Sequence, residues 1–219
     1  MTARTPAFAS LLLVGSVVAV AAQPLPPQAP PPPPQVANQS GMGIQGTVAR
    51  LLPTPRGEVD GLLLEDGRLI RFPPHMSAAL LAVIGQGDAV VIEGMPGPAG
   101  NEIRAWRISN RATGRSVTEA PPTFPPEARA WSGRDMRVSG IVRRTLTGGR
   151  GEANGVILED GTVVRFPPHV GEAFANLFVP GARLVAQGYG SSGPAGTAVE
   201  AVALGSSETS LMAIGPPRP

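Results

Sequence analysis

The sequence predicts an all-β protein with one short helix per repeat: two tandem five-stranded barrels, each in the order β-β-β-α-β-β. Three observations carry this. The chain matches itself at an offset of 94 residues. Each copy holds a strong hairpin pattern around an Asp-Gly pair. In each copy the apolar period changes from two to about 3.6 after the hairpin and then returns to two.

The self-match is the strongest of the three. Gly46–His75 aligns with Gly140–His169 without a gap, and 17 of 30 positions are identical, so the chain is a tandem duplication. The shared skeleton is G-x-V-x-R-x-L, then R-G-E-x-x-G, L-E-D-G and R-F-P-P-H. The last string, Arg71–His75 and Arg165–His169, holds the chain's two histidines.

Each copy reads element by element. "GTVARLL" and "GIVRRTL" alternate weakly and form a first strand. "GLLLEDGRLIRF" and "GVILEDGTVVRF" form hairpins. Asp66-Gly67 and Asp160-Gly161 suit a two-residue type I′ turn, which requires positive φ at both positions. That turn sets Glu65 opposite Arg68, Leu63 opposite Ile70 and Gly61 opposite Phe72. In the second copy it sets Gly155 opposite Phe166, an aromatic ring covering a strand glycine. After the proline pair, Met76, Leu80, Val83 and Ile84 share a helical face, as do Val170, Phe174, Leu177 and Phe178. Two further strands follow, "AVVIEG" and "EIRAWRI" in the first copy, "RLVAQG" and "AVEAVAL" in the second. A helix between strands three and four is the order of the OB-fold, a small Greek-key barrel.

On these residues the chain resembles bacterial OB-fold proteins of the nucleic-acid-binding-like type. More closely it resembles small exported bacterial proteins carrying L-x-D-G-x-x-V-x-F-P-P-H. The likeness spans residues 43–110 and 136–205. It implies an exported protein and names no activity.

The remaining segments are assigned by composition. Residues 1–22 read as a signal peptide: Arg4 in a polar start, then an apolar run Ala7–Ala22 too short for an ordinary membrane span. "AVA" (Ala19–Ala21) or "VAA" (Val20–Ala22) precedes the cut. Residues 23–42 are a proline-rich spacer with the run Pro30–Pro34, extended as polyproline II. Residues 111–135 read as an interdomain linker that Phe124 and Trp131 pin to a barrel. Residues 206–219 read as a disordered tail. The expected location is periplasmic or secreted, with an N-terminal anchor in the inner membrane as the alternative and no span once the signal is cleaved. The absence of cysteine excludes disulfides and a lipidated cysteine anchor.

Charge and motifs narrow the chemistry. All 18 basic residues are arginine, yet the formal net charge is only +2. Residues 43–110 hold six Arg against seven acids and residues 136–205 six against five, so neither barrel is basic overall. No catalytic constellation, cofactor motif or metal-ligand spacing is present; His75 and His169 supply one ligand per copy and have a structural reading at the entry to the helix. Glu65-Asp66 and Glu159-Asp160 belong to turns. The arginines kept in both copies, Arg50/Arg144, Arg56/Arg150 and Arg71/Arg165, are with the two histidines the candidate ligand-binding residues. Arg56 and Arg150 fall in the loop after strand one, and Arg71 and Arg165 on strand three, which border the usual OB-fold ligand face. The expected function is an exported, non-enzymatic protein binding an envelope protein or an anionic ligand. Single-stranded nucleic-acid binding and a metal-handling module are the alternatives.

Overall fold

A computed structural model describes residues 42–122, 133–148 and 150–215. The segment read as a signal peptide (residues 1–22), the spacer up to residue 41, Phe124 and Trp131 lie outside the described residues; Met42 belongs to the first strand. The first barrel comprises β1 (Met42–Pro53), β2 (Val59–Leu64), β3 (Leu69–Arg71), α1 (Ser77–Leu81), β4 (Ala89–Pro96) and β5 (Glu102–Asn110). A short β6 (Ser116–Thr118) pairs with β5. The second comprises β7 (Arg134–Thr147), β8 (Ala153–Leu158), β9 (Val163–Arg165), α2 (Val170–Ala173), β10 (Arg183–Gly193) and β11 (Gly196–Gly205), with β12 (Met212–Ala213) on β11.

These are two tandem OB-folds. In each, the long first strand pairs antiparallel with the second and, through its other half, with the fourth. The third strand then closes the barrel by pairing parallel with the fifth, Ile70 on Ile103 and Val164 on Val199. Two of the expected connectors carry structure: β6 lies inside residues 111–135, and a 3-10 turn (Glu208–Ser210) and β12 lie inside residues 206–219.

The hairpin register differs from the expected one by one residue. Gly61 pairs with Arg71 and Leu62 with Ile70; Gly155 pairs with Arg165 and Val156 with Val164. The cause is the turn. Among the described residues no non-glycine has positive φ, so Asp66 and Asp160 do not take the type I′ conformation. Leu64 N–H donates to the Arg68 carbonyl across a three-residue loop, and Gly67 (φ 83°) takes the left-handed position. Asp66 and Asp160 favour this loop because each carboxylate accepts the amide two residues on, at 2.9 and 2.8 Å. The Arg68 side chain also bonds Asp66 and holds its carboxyl below the usual carboxylate range.

A one-residue slip exchanges the two faces of a strand. Phe72 and Phe166 therefore do not cover the glycines. They turn inward, Phe166 stacking on Phe178 with centroids 4.1 Å apart. The arginines next to them turn outward: a Cβ on Gly61 or Gly155 would meet Arg71 or Arg165 Cδ at 3.6 or 3.1 Å.

The helices are shorter than the apolar pattern suggests. α1 continues a 3-10 turn (Pro74–Met76), and α2 breaks at Phe174 into a second 3-10 turn. Met76, Leu80 and Ile84, and Val170 and Phe178, nevertheless enter the two cores as the pattern requires.

Two bulges between the first and second strands of each barrel decide what faces the other barrel. One falls between Val48 and Arg50, with its copy between Val142 and Arg144. Val48 points into the barrel; without the bulge, Arg50 and Leu52 would follow it. With the extra residue, Leu51 packs against the core, and Arg50 and Leu52 emerge on the other side. The second bulge sits at Asp60 and at its copy, Asn154. Bulges of this kind re-aim side chains, and here they build the junction between the barrels.

Candidate functional site

The usual ligand face of each OB-fold, strands two and three, lies in the junction between the barrels. β2 is buried at all six positions. Leu62 and Leu64 fill the first barrel's own core. On the outer side, Leu52, Leu69, Leu146, Ile157, Val163 and Ala198 form a separate apolar cluster drawn from both repeats. Each of these six is at most 1% exposed, so the cluster is sealed from solvent.

Polar contacts frame this cluster with approximate twofold symmetry. Arg50 Nη1 donates to the Asp160 carbonyl at 2.8 Å. Its repeat partner, Arg144, donates to the Gly67 carbonyl and, at 2.7 Å, to Asn101 Oδ1. Each strand-one arginine thus holds the other repeat's Asp-Gly turn. Burial pushes the Arg144 guanidinium below its ordinary value, opposed by the charge of Glu102. Glu102 is itself buried and accepts from Thr147 Oγ1 at 3.1 Å.

At the second bulge the symmetry breaks. Arg165 Nη2 donates to both Asp60 carboxylate oxygens, at 2.9 and 3.0 Å. Arg71, from Asp60's own repeat, approaches the same carboxylate at 3.3 Å. Two guanidinium groups therefore converge on one acid. The repeat partner of Asp60 is Asn154, which carries no charge to attract Arg71. Arg71 Nη1 and Asn154 Oδ1 are both buried without a hydrogen-bond partner. Burial lowers the Arg165 pKa from its ordinary value; Asp60 and Glu200 oppose that fall, and the like charge of Arg71 adds to it.

The expected site residues thus separate into three groups. Arg50, Arg71, Arg144 and Arg165 come together as the polar part of the junction. Arg56 and Arg150 are exposed in the loops after the first strands. His75 and His169 are exposed at the helix entries. His75 Nε2 donates to the Ala120 carbonyl at 2.9 Å, tying down the chain that leaves the first barrel beyond β6. Among the described residues no group of three or more His, Cys, Asp or Glu is placed to hold a metal ion, and no helix is long and apolar enough to cross a membrane.

Asp60, Asn101, Glu102 and Thr147 are polar junction residues that no sequence motif marked. A signal for the junction existed. Leu62-Leu63-Leu64 and Val156-Ile157-Leu158 are unbroken apolar runs, whereas a barrel strand with one wet face alternates. The alternate residues need a cover that the barrel itself does not supply.

The two turn glycines should respond differently to alanine. Gly67 loses its left-handed freedom, about 1 kcal/mol. At Gly161 (φ 92°) a Cβ would also fall on the Arg50 guanidinium and displace it from Asp160. Urea titration should therefore show Gly161→Ala as the more damaging of the two.

No family model matches this chain, and no curated protein matches it. Two solved structures of the single-stranded DNA-binding protein from Thermus aquaticus are similar to it. The wild-type structure is 16% identical, with 80% of this chain and 93% of that chain covered and a TM-score of 0.26. A deletion variant is 17% identical, with 80% and 95% covered and a TM-score of 0.25. Scores this low locate no site, and the fold assignment rests on the strand pairings above.

Proposed function

We propose that this chain is an exported, non-enzymatic binding protein in which two OB-folds act as one body. The observation that carries the reading is the sealed junction. The face an OB-fold ordinarily offers a ligand is occupied by the other repeat, leaving the outer surfaces to meet an envelope protein or an anionic ligand. The residues 1–22 signal and the proline spacer fit a protein released or displayed outside the cytoplasm.

Two measurements test this. Mass spectrometry of the protein recovered from the cell envelope should find a mature chain beginning at Ala22 or Gln23. Immobilised mature protein, challenged with envelope and nucleic-acid fractions, should retain a defined component. Retention from neither fraction, together with turnover of a substrate, would reject the reading.

A further inference from the structure

The two barrels have separate cores and meet in one junction, yet they differ on one outer face. In the first, β5 carries a bulge opposite Glu93 and Gly94, and Trp106 is the extra residue. Ile103, Ala105 and Ile108 point into the core. The bulge leaves Arg104, Trp106 and Arg107 outside, on one surface. β6 widens that surface, with Val117 inward and Thr118 exposed beside Arg107. Arg111 and Arg115 stand exposed in the turn joining β5 to β6.

The second barrel keeps the bulge and changes what it displays. Arg104, Trp106 and Arg107 are replaced by Glu200, Val202 and Ala203. The barrel closes in both cases, so closure does not require the arginines or the indole. Neither does charge pairing. The two acids on the first face lie at ion-pair distances of 3.9 Å (Arg104 to Glu119) and 3.8 Å (Arg107 to Glu93), with the arginine side chains 66% and 46% exposed. Exposed pairs of this kind hold little energy. The two arginines and two glutamates of the face balance in charge, and Arg111 and Arg115, exposed in the adjoining turn, add positive charge beside it.

From this we infer that the β5–β6 face of the first barrel binds single-stranded nucleic acid. The inference rests on the binding-protein reading and specifies its ligand class. A half-buried indole offers a stacking platform, and arginines on both sides of it reach for phosphates; together these are the parts of sequence-tolerant single-strand binding. A duplex keeps its base faces stacked away from such a platform. The face lies outside the sealed junction, so binding requires no separation of the barrels.

The test uses the mature full-length chain and fluorescently labelled oligothymidylate, with binding followed by anisotropy as salt is varied. The wild type should bind at low salt. With up to four phosphates neutralised, log K should fall against log salt with a slope approaching about −3. Arg104→Gln with Arg107→Gln should weaken binding at least tenfold and flatten the slope. Trp106→Ala should weaken it at least fivefold, and Trp106→Phe should restore most of the loss. An Arg183→Gln control on the second barrel should bind as the wild type does. Unfolding midpoints of every variant separate a lost face from a lost fold. Wild-type affinity in the double-arginine variant overturns the inference. So does a sulfated polysaccharide that binds as tightly as the oligonucleotide and is indifferent to Trp106→Ala. If the oligonucleotide fails while an envelope component is still retained, the face is wrong and the binding-protein reading stands; if both fail, both are wrong.

Discussion

Replacing Asp60 with alanine is expected to cost about 3–5 kcal/mol of folding stability. The reason is what the substitution leaves behind. Arg165 is 8% exposed and donates to both oxygens of that carboxylate, and Arg71 stands 3.3 Å from one of them. Without the acid, two like charges face each other in a largely buried junction, and neither guanidinium loses its proton readily. The opposite change sharpens the test. Repeat equivalence makes Asn154 the counterpart of Asp60, and its Oδ1 is buried without a partner, as is Arg71 Nη1. Asn154→Asp should therefore give Arg71 an acid of its own and raise stability by about 1 kcal/mol. Urea unfolding of both variants decides the matter. A loss below about 1 kcal/mol for Asp60→Ala, or shifts of the same sign in the two variants, would show that the junction is not organised around this carboxylate.

Truncating Leu146 to alanine should cost about 2–5 kcal/mol. The side chain is fully buried, and its cavity would open in the cluster shared by the two repeats rather than inside either barrel. The effect should differ in kind from that of a barrel-core substitution. Leu184→Ala removes a residue from the second barrel's own core and should lower stability while unfolding stays concerted. Leu146→Ala should loosen the coupling, so that calorimetry resolves two transitions where the wild type shows one. A single transition in both variants would mean that the barrels do not depend on each other through this cluster.

The sequence showed the repeat, the strand order and the helix position, because duplication and period are written directly in residue types. It also placed the apolar helix face correctly, down to Met76, Leu80 and Ile84. What failed was the fine register. Asp-Gly fits two turn geometries, and the choice depends on whether the aspartate carboxylate caps the amide two residues on. That one-residue difference moved Phe72 and Phe166 inward and Arg71 and Arg165 outward. The bulges at Ala49 and Asp60 were hidden for a related reason: an extra residue in a strand looks like weak alternation until both partners are seen. Four of the six arginines expected to meet an anion, Arg50, Arg71, Arg144 and Arg165, have partners inside the chain, while Arg56 and Arg150 stand exposed in loops. The outer face of β5 differs between the copies in residue type, Arg104 and Trp106 against Glu200 and Val202, and the structure adds the bulge that gathers those residues onto one surface.

The single acid at the centre of the junction has a consequence for how such a protein can change. In a symmetric homodimer every interface residue occurs twice, so losing Asp60 would remove both of its contacts at once. Here the halves are tethered, and the tether keeps each barrel at high effective concentration beside the other. One half-site can then become neutral, as Asn154 has, while the other holds both arginines. Covalent fusion releases the pair from self-complementarity. The freedom that let the two halves differ at their shared centre is the same freedom that let their outer faces diverge.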